Sequence, residues 1–409
     1  MRPQTPSRQH PANAPRRQAG IALLALLTVL TLWGLYLFVG QLSATQFELA
    51  REQDAAAALA EAKAALIGDA IARLPVNDAG YLRLPNLGSP EGQSSGTFDG
   101  DGKNLSVVGR FPWRTLDTAV ARDQWGECLW YIVSGRLKND AWKDDPLNWD
   151  TQSQIEVIDA TGNRIATNVA AIVVAPGRAL DGQGRALADA AYTECSGNYD
   201  ARNYLDSFDI GNAIEGNVNY FSGSTNNRVA LDTASKRFVL AETEHYNDRF
   251  VFITVDEVFS PLIRRNDFKD AIDAMLNHFK TQNDNLGTGG GIPIEGNKGT
   301  DKLDCKTAPD EDFCDNWKEM LFLTQLPVVS PITIGGAPED ACSRVLIFSG
   351  QATASQSRRD DIEKAQKVNY LEAPNAEAFN LPVANSANFS GYRAFDSARA
   401  SADLLRCLK

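Results

Sequence analysis

Residues Ile21 to Gly40 (IALLALLTVLTLWGLYLFVG) carry no charge, and this run constrains the chain more than any other feature. At 1.5 Å per residue such a stretch reaches ~30 Å as a helix, the thickness of bilayer hydrocarbon. The sequence therefore predicts a transmembrane helix over 21–40. Arg2, Arg8, Arg16 and Arg17 precede it without any acidic residue, while Glu48, Glu52 and Asp54 follow. Basic residues stay on the cytoplasmic side. This predicts a cytoplasmic leader at 1–20 and a single-pass inner-membrane protein of a Gram-negative-type cell, its bulk in the periplasm. A cleaved signal peptide fits less well, because its apolar core is shorter and ends in a small-residue cleavage site.

The helical pattern continues beyond Gly40. Residues 41–74 are rich in Ala, Leu, Glu, Lys, Arg and Gln, all strong helix formers. Ala55, Leu59, Ala62, Leu66, Ala70 and Leu74 recur at steps of three and four, giving one apolar stripe. Pro75 stops the pattern. Ile21 to Leu74 would make one helix of about 80 Å, amphipathic in its second half.

A basic leader ending in Gly20, followed at once by a long apolar helix that turns amphipathic, resembles a type IV prepilin or a type II secretion pseudopilin. The resemblance covers about the first 55 residues. It implies cleavage by a prepilin peptidase between Gly20 and Ile21, with methylation of the new N-terminus at Ile21. It also implies partners: other pilin or pseudopilin subunits. Major pilins place Glu at the fifth mature position to neutralise a neighbour's N-terminal amine; here that position is Ala25. Such an omission is shared by tip subunits, so the resemblance implies a low-copy, tip-located minor pilin. A second likeness lies in GRFPWRTLDTAVARDQWGECLWYIVS and in FVFITVDEVF, which resemble segments of large pilin-like proteins of beta- and gammaproteobacteria.

Roughly 330 residues follow the first helix, room for one large domain or two modest ones. A net charge of −12 argues against nucleic acid, which requires a basic footprint. The six cysteines, Cys128, Cys195, Cys305, Cys314, Cys342 and Cys407, all follow the apolar run, none in a C-x-x-C pair. An even number in an exported domain predicts disulfides rather than zinc. Cys305–Cys314 is favoured because it closes a small acidic loop. Cys342–Cys407 and Cys128–Cys195 follow only by elimination among fifteen connectivities.

The remaining pattern predicts an α+β fold, with the long transmembrane-plus-amphipathic helix packed on an antiparallel sheet that carries large irregular insertions. Residues 75–285 form the exported pilin-like domain, and 286–409 a cysteine-containing C-terminal subdomain. The aromatics Phe111, Trp113, Trp125, Trp130 and Tyr131 are expected to glue the helix to the sheet. Asp159–Asn163 predicts a hairpin turn. Two strands are expected around a turn at His245–Asp248, then a helix capped by Asp256 and running from Glu257 to about Lys280. Asn283–Thr300 is glycine-rich and is the best internal boundary. Further on come a helix at Trp317–Leu326, a strand at SRVLIFSG and a final helix at SARASADLLRCL.

Little catalytic chemistry is visible. Asp99-Gly-Asp101-Gly-Lys103 is similar to the start of a calcium loop, but Lys103 and Arg110 occupy two ligand positions of an EF-hand. That leaves an irregular calcium site at Asp99 and Asp101 as the metal reading and a solvated turn as the plainer one; no cofactor is expected. His245 with Glu242, Glu244 and Asp248 imitates a catalytic cluster, yet sits where a charged turn is expected. The reading is therefore non-enzymatic: a minor pilin or pseudopilin-like subunit acting in assembly initiation or surface contact. The alternative is a signal-anchored periplasmic binding or sensor protein that does not assemble.

Overall fold

The computed structural model describes residues 19–88, 90–96, 105–138, 146–185, 194–206, 208–210, 213–215, 228–230, 236–284, 305–380 and 388–409. The leader at 1–18, Asp99 and Asp101, and the glycine-rich stretch 285–300 lie outside them. The chain divides into two compact units, Met1–Asp54 and Ala55–Lys409. The first helix, α1 (Ala19–Ala72), contributes to both.

The fold is α+β with antiparallel sheets, but its first helix does not qualify as a membrane span. Among the described residues no helix is long and apolar enough to cross a membrane. This overturns the transmembrane segment at 21–40 and the single-pass inner-membrane localisation drawn from it.

In chain order the strands are β1 (Leu105–Arg110), β2 (Trp130–Val133), β3 (Ile155–Asp159), β4 (Arg164–Ala166), β5 (Val169–Ala175), β6 (Phe208–Ile210), β7 (Ala213–Glu215), β8 (Arg228–Ala230), β9 (Lys236–Leu240), β10 (Arg249–Thr254), β11 (Leu321–Ile334), β12 (Ala337–Phe348), β13 (Ser390–Gly391) and β14 (Leu404–Leu408). The helices after α1 are α2 (Val255–Leu262), α3 (Asn266–Asp284), α4 (Glu311–Trp317), α5 (Asp361–Lys364) and α6 (Ala373–Asn380). The central sheet is five-stranded and antiparallel, in the order β10-β5-β2-β1-β8. A four-stranded sheet, β13-β11-β12-β14, and a three-stranded one, β4-β3-β9, accompany it, with β6 and β7 as a separate pair.

The central sheet is covered on both faces, and the period-2 alternation of its strands shows why. In β2, Tyr131 and Val133 join the core that contains Leu59, Ala62, Leu66 and Ala70 of α1. Trp130 and Ile132 point the other way, to Ile155, Val157 and Phe238 of the small sheet and to Tyr204. The aromatic run therefore does not act as one cluster. Phe111 and Tyr131 meet the helix side, Trp130 supports the opposite layer, and Trp125 is exposed.

Ala55, Leu59, Ala62, Leu66 and Ala70 are all buried, whereas Leu74 lies past the helix end and is exposed. Arg265 closes that end by donating from its guanidinium to the carbonyls of Ile71 and Arg73. These are orphan acceptors of the last turn.

Several sequence expectations change where tertiary pairing overrides local pattern. β9 and β10 do not form a hairpin: β9 pairs in parallel with β3, and β10 antiparallel with β5. Thr254, not Asp256, caps α2, in a reciprocal box with Glu257. The expected single helix is two, because Pro261 has no N–H to donate and α2 ends one residue later. The segment read as a Trp317–Leu326 helix is mostly strand: α4 stops at Trp317 and β11 begins at Leu321. The final helix is strand β14, paired with β12 at every residue from Leu404 to Leu408. The hairpin turn at Asp159 is present, its carboxylate accepting the Thr161 and Asn163 amides at 2.8 and 2.9 Å. β11 and β12 are joined through Gly335 and Gly336, with φ of 62° and 83°. A two-residue turn of this hand requires positive φ at both positions.

Residues on either side of 285–300 share one core. Trp149 meets Trp317 edge-on at 4.6 Å, and Phe268, Phe348 and Phe395 complete the aromatic hub.

Candidate functional site

Within the first unit, residues 23–37 of α1 expose an apolar surface around the whole helix. Leu23, Leu24, Leu27, Leu30, Trp33 and Tyr36 are 55–76% exposed, and Leu26, Val29, Leu32 and Leu35 are similarly open. The two threonine hydroxyls in this stretch add no outward polarity, which leaves that of Tyr36. Thr28 donates to the Ala25 carbonyl at 2.8 Å and Thr31 to the Leu27 carbonyl at 3.0 Å. Backbone acceptors one turn back satisfy such groups inside the helix. A helix that is apolar on all sides is normally a buried one, and an exposed patch of this extent marks an interaction surface. Ala25 sits on this surface, exposed. Gly20 and Ile21 fall in the first turn of α1.

The second unit fixes 55–72 of the same helix by a different chemistry. Lys63 reaches the Phe252 carbonyl at 2.7 Å and the Glu257 carboxylate at 2.6 Å. Burial works to raise the Glu257 carboxyl, but the Lys63 and Thr254 hydrogen bonds outweigh it and hold it below its ordinary value. Asp69 accepts from Arg73 at 2.6 Å and from Arg83 at 3.0 Å. Its carboxyl is likewise depressed, partial burial being overcome by the Arg83 and Arg73 hydrogen bonds.

Three disulfides join Cys128–Cys195, Cys305–Cys314 and Cys342–Cys407. Each tethers an irregular segment or a late strand to the core, and all six cysteines are buried. They fit a periplasmic or extracellular location, where oxidising conditions let such bonds persist.

The His245 cluster does not assemble as an acid–base group. Asp248 turns inward and accepts the Asp206 amide at 2.9 Å. Glu242 pairs with Arg249 at 2.8 Å. His245 and Glu244 stay exposed on the loop. Burial raises the Asp206 carboxyl in spite of amide hydrogen bonds from Asn247 and Asp248, which suits a structural clamp between two loops.

Two buried polar nodes escaped sequence reasoning, because their partners lie far apart in the chain. Arg358 donates to Asp150 at 2.8 Å and to the Gly350 carbonyl at 3.0 Å, with Tyr370 stacked 4.2 Å from the guanidinium. Gly350 is required there: a Cβ would lie 2.2 Å from the Ser401 carbonyl carbon. Asp403 is fully buried, accepting the Glu372 amide at 2.9 Å and the Asn375 side chain at 2.7 Å. Burial pushes its carboxyl up to about 7 despite those bonds.

No family model, curated protein or solved structure matches this chain.

Proposed function

We propose that this chain is an exported minor pilin or pseudopilin-like subunit, held in a filament through residues 23–37 of α1. The supporting observation is the fully apolar, exposed surface of that segment on a helix whose later turns are already buried in their own domain. Helices of neighbouring subunits are the natural cover, since side chains of this kind pack against one another and exclude water. Gly20 and Ile21 stand where prepilin peptidase would cut, and processing would present Ile21 as the mature N-terminus. Ala25 leaves the subunit without a carboxylate for a neighbour's amine, which restricts it to few copies at or near a tip, in initiation or surface contact. The protein acts by assembly rather than catalysis.

Intact-mass measurement of the protein from peptidase-competent cells tests the reading. The expected mature chain begins at a methylated Ile21, and Gly20→Val blocks processing. A chain that retains 1–20 refutes it. Quantitative proteomics of sheared filaments tests position: a few copies per filament are expected, and stoichiometric amounts along the shaft would refute tip placement. Absence from filaments would favour a binding protein that does not assemble.

A further inference from the structure

A cleft of about 630 Å³ opens in the second unit between Trp149–Gln152, Asn168, the outer side of α2 and the loop 351–359. Its volume falls within the ~300–1,000 Å³ of small-molecule sites. Its lining does not resemble the usual apolar one: Gln152, Asn168, Ser260, Gln351 and Ser355 face it with neutral amides and hydroxyls.

The floor is rigid and electrically closed. Asp150 and Arg358 neutralise each other across 2.8 Å, and the remaining guanidinium donors are taken by the carbonyls of Gly350, Asn369 and Tyr370. No cation is thus left over in the floor for a phosphate or carboxylate. Arg359 at the rim already contacts Ser357 and lies 3.6 Å from Glu363. Among the described residues no group of three or more His, Cys, Asp or Glu side chains gathers to hold a metal.

Asp256 of α2 adds an exposed carboxylate at the cleft's edge, which disfavours an anionic ligand further; beside it, what remains is hydrogen-bonding capacity of a neutral kind. Trp149 lines the cleft with little of its surface open, 5% exposed, and its indole Nε1 is buried without a hydrogen-bond partner among the described residues. Asn168 has a positive φ of 56°, and its Oδ1 accepts the Ser153 amide at 2.6 Å, which fixes the amide plane. Positive φ is uncommon outside glycine and is held here by the surrounding structure. Gln152 is held in the same way, its Nε2 donating to the Asp150 carbonyl at 3.0 Å. The wall opposite is preset too: Gln356 bonds Thr353, Val368 and Leu371, so the turn at 353–356 keeps its shape. Fixed amides, hydroxyls and the small apolar side chains Ala352 and Ala354 match one ligand chemistry. Vicinal hydroxyls need paired donors and acceptors, and the C–H face of a sugar ring needs a small apolar contact.

We propose that this cleft binds a neutral, polyhydroxylated ligand: a short oligosaccharide or the exposed end of a glycan. The assignment stands on the cleft alone and is independent of filament assembly.

Saturation-transfer NMR of the full chain in a non-glycosidic detergent tests it. The probes are neutral di- and trisaccharides of the gluco, galacto, manno and N-acetylglucosamine series, with sialyllactose and AMP as charged comparators. Transfer to ring protons of at least one neutral sugar is expected. Ala354→Trp, which fills the cleft from its exposed loop, should weaken that binding at least tenfold with the melting temperature unchanged. Ser260→Trp, from the α2 side, should do the same and serves if the first variant is destabilised. The proposal is overturned if no neutral sugar shows transfer, if only the charged probes bind, or if binding survives both tryptophans.

Discussion

Residues 23–37 and 55–70 belong to one helix with similar helix-forming residues, yet they meet opposite fates. In the later stretch, apolar residues occupy one stripe, and Leu59 and Leu66 vanish into the core beneath the central sheet. In the earlier stretch leucines occupy every face, and nearly all stand more than half exposed. A stripe can be satisfied by one sheet, whereas an all-round apolar surface requires several neighbours at once. The lesson is that the second stretch finishes the fold of its own domain, while the first stays open for the helix packing proposed above.

The sharpest way to break this contrast is to truncate one leucine in each stretch. Leu66→Ala should destabilise the compact unit by about 2–5 kcal/mol, the cost of a buried leucine truncation. Leu30→Ala should leave the same melting transition within about 0.5 kcal/mol, because nothing in its own domain covers it. Calorimetry of both variants decides; equal losses would end the distinction.

A pH series should separate the two stretches as well. The Asp403 carboxyl is raised to about 7 by burial, above an unfolded value near ~3.9. The folded state thus binds a proton that the unfolded state releases. Its stabilisation is complete below about pH 4 and is lost as pH rises through about 7. Asp123, Asp150 and Asp206 are raised by burial too and push in the same direction. Urea denaturation should show the compact unit losing up to roughly 4 kcal/mol between pH 4 and 8 from Asp403, with Asp403→Asn flattening that slope. Self-association through 23–37, measured by sedimentation, should not follow this curve, since the stretch has no carboxylate, histidine or lysine.

Smaller effects refine the picture of the compact unit. Replacing Cys305 and Cys314 by Ser should cost about 2–3 kcal/mol, as expected for a short closed loop. Chemical denaturation under non-reducing conditions reads this directly. Lys63→Met should cost only about 0.5–1 kcal/mol, because its pair with Glu257 is partly exposed and screened by solvent. A larger loss would mean that this ion pair, rather than the leucine stripe, holds the later stretch in place.

Much of this architecture can be read from local pattern. The stripe from Ala55 to Ala70, the Asp159 turn and the general α+β character need only periodicity and turn chemistry. The misreadings share one cause. Residues 321–326 (LFLTQL) and 404–408 (LLRCL) lack β-branched residues apart from Thr324, so propensity favours helix. Pairing with β12 decides otherwise, and that information lies elsewhere in the chain. β9 and β10 read as a hairpin because eight residues separate them, but the buried Tyr246 and the inward Asp248 send the connecting loop between two sheets. The polar cleft was invisible for the same reason. Trp149 and Gln351 are far apart in sequence, and no motif links them. The membrane expectation came from hydropathy over 21–40, whereas among the described residues no helix is long and apolar enough to cross a membrane.

Strand β14 has a temporal implication. It supplies the outer neighbour of β12, fills the core with Leu404, Leu405 and Leu408, and carries the cysteine that bonds Cys342. Arg406 also reaches back to Asp273 on α3 at 3.0 Å. During synthesis these residues emerge after almost everything they complete. Until then β12 waits with one unpaired ladder of N–H and C=O groups and a free thiol, a surface open to mispairing with other nascent copies. In a chain built in this order the Cys342–Cys407 bond can close only after β14 has emerged and docked beside β12.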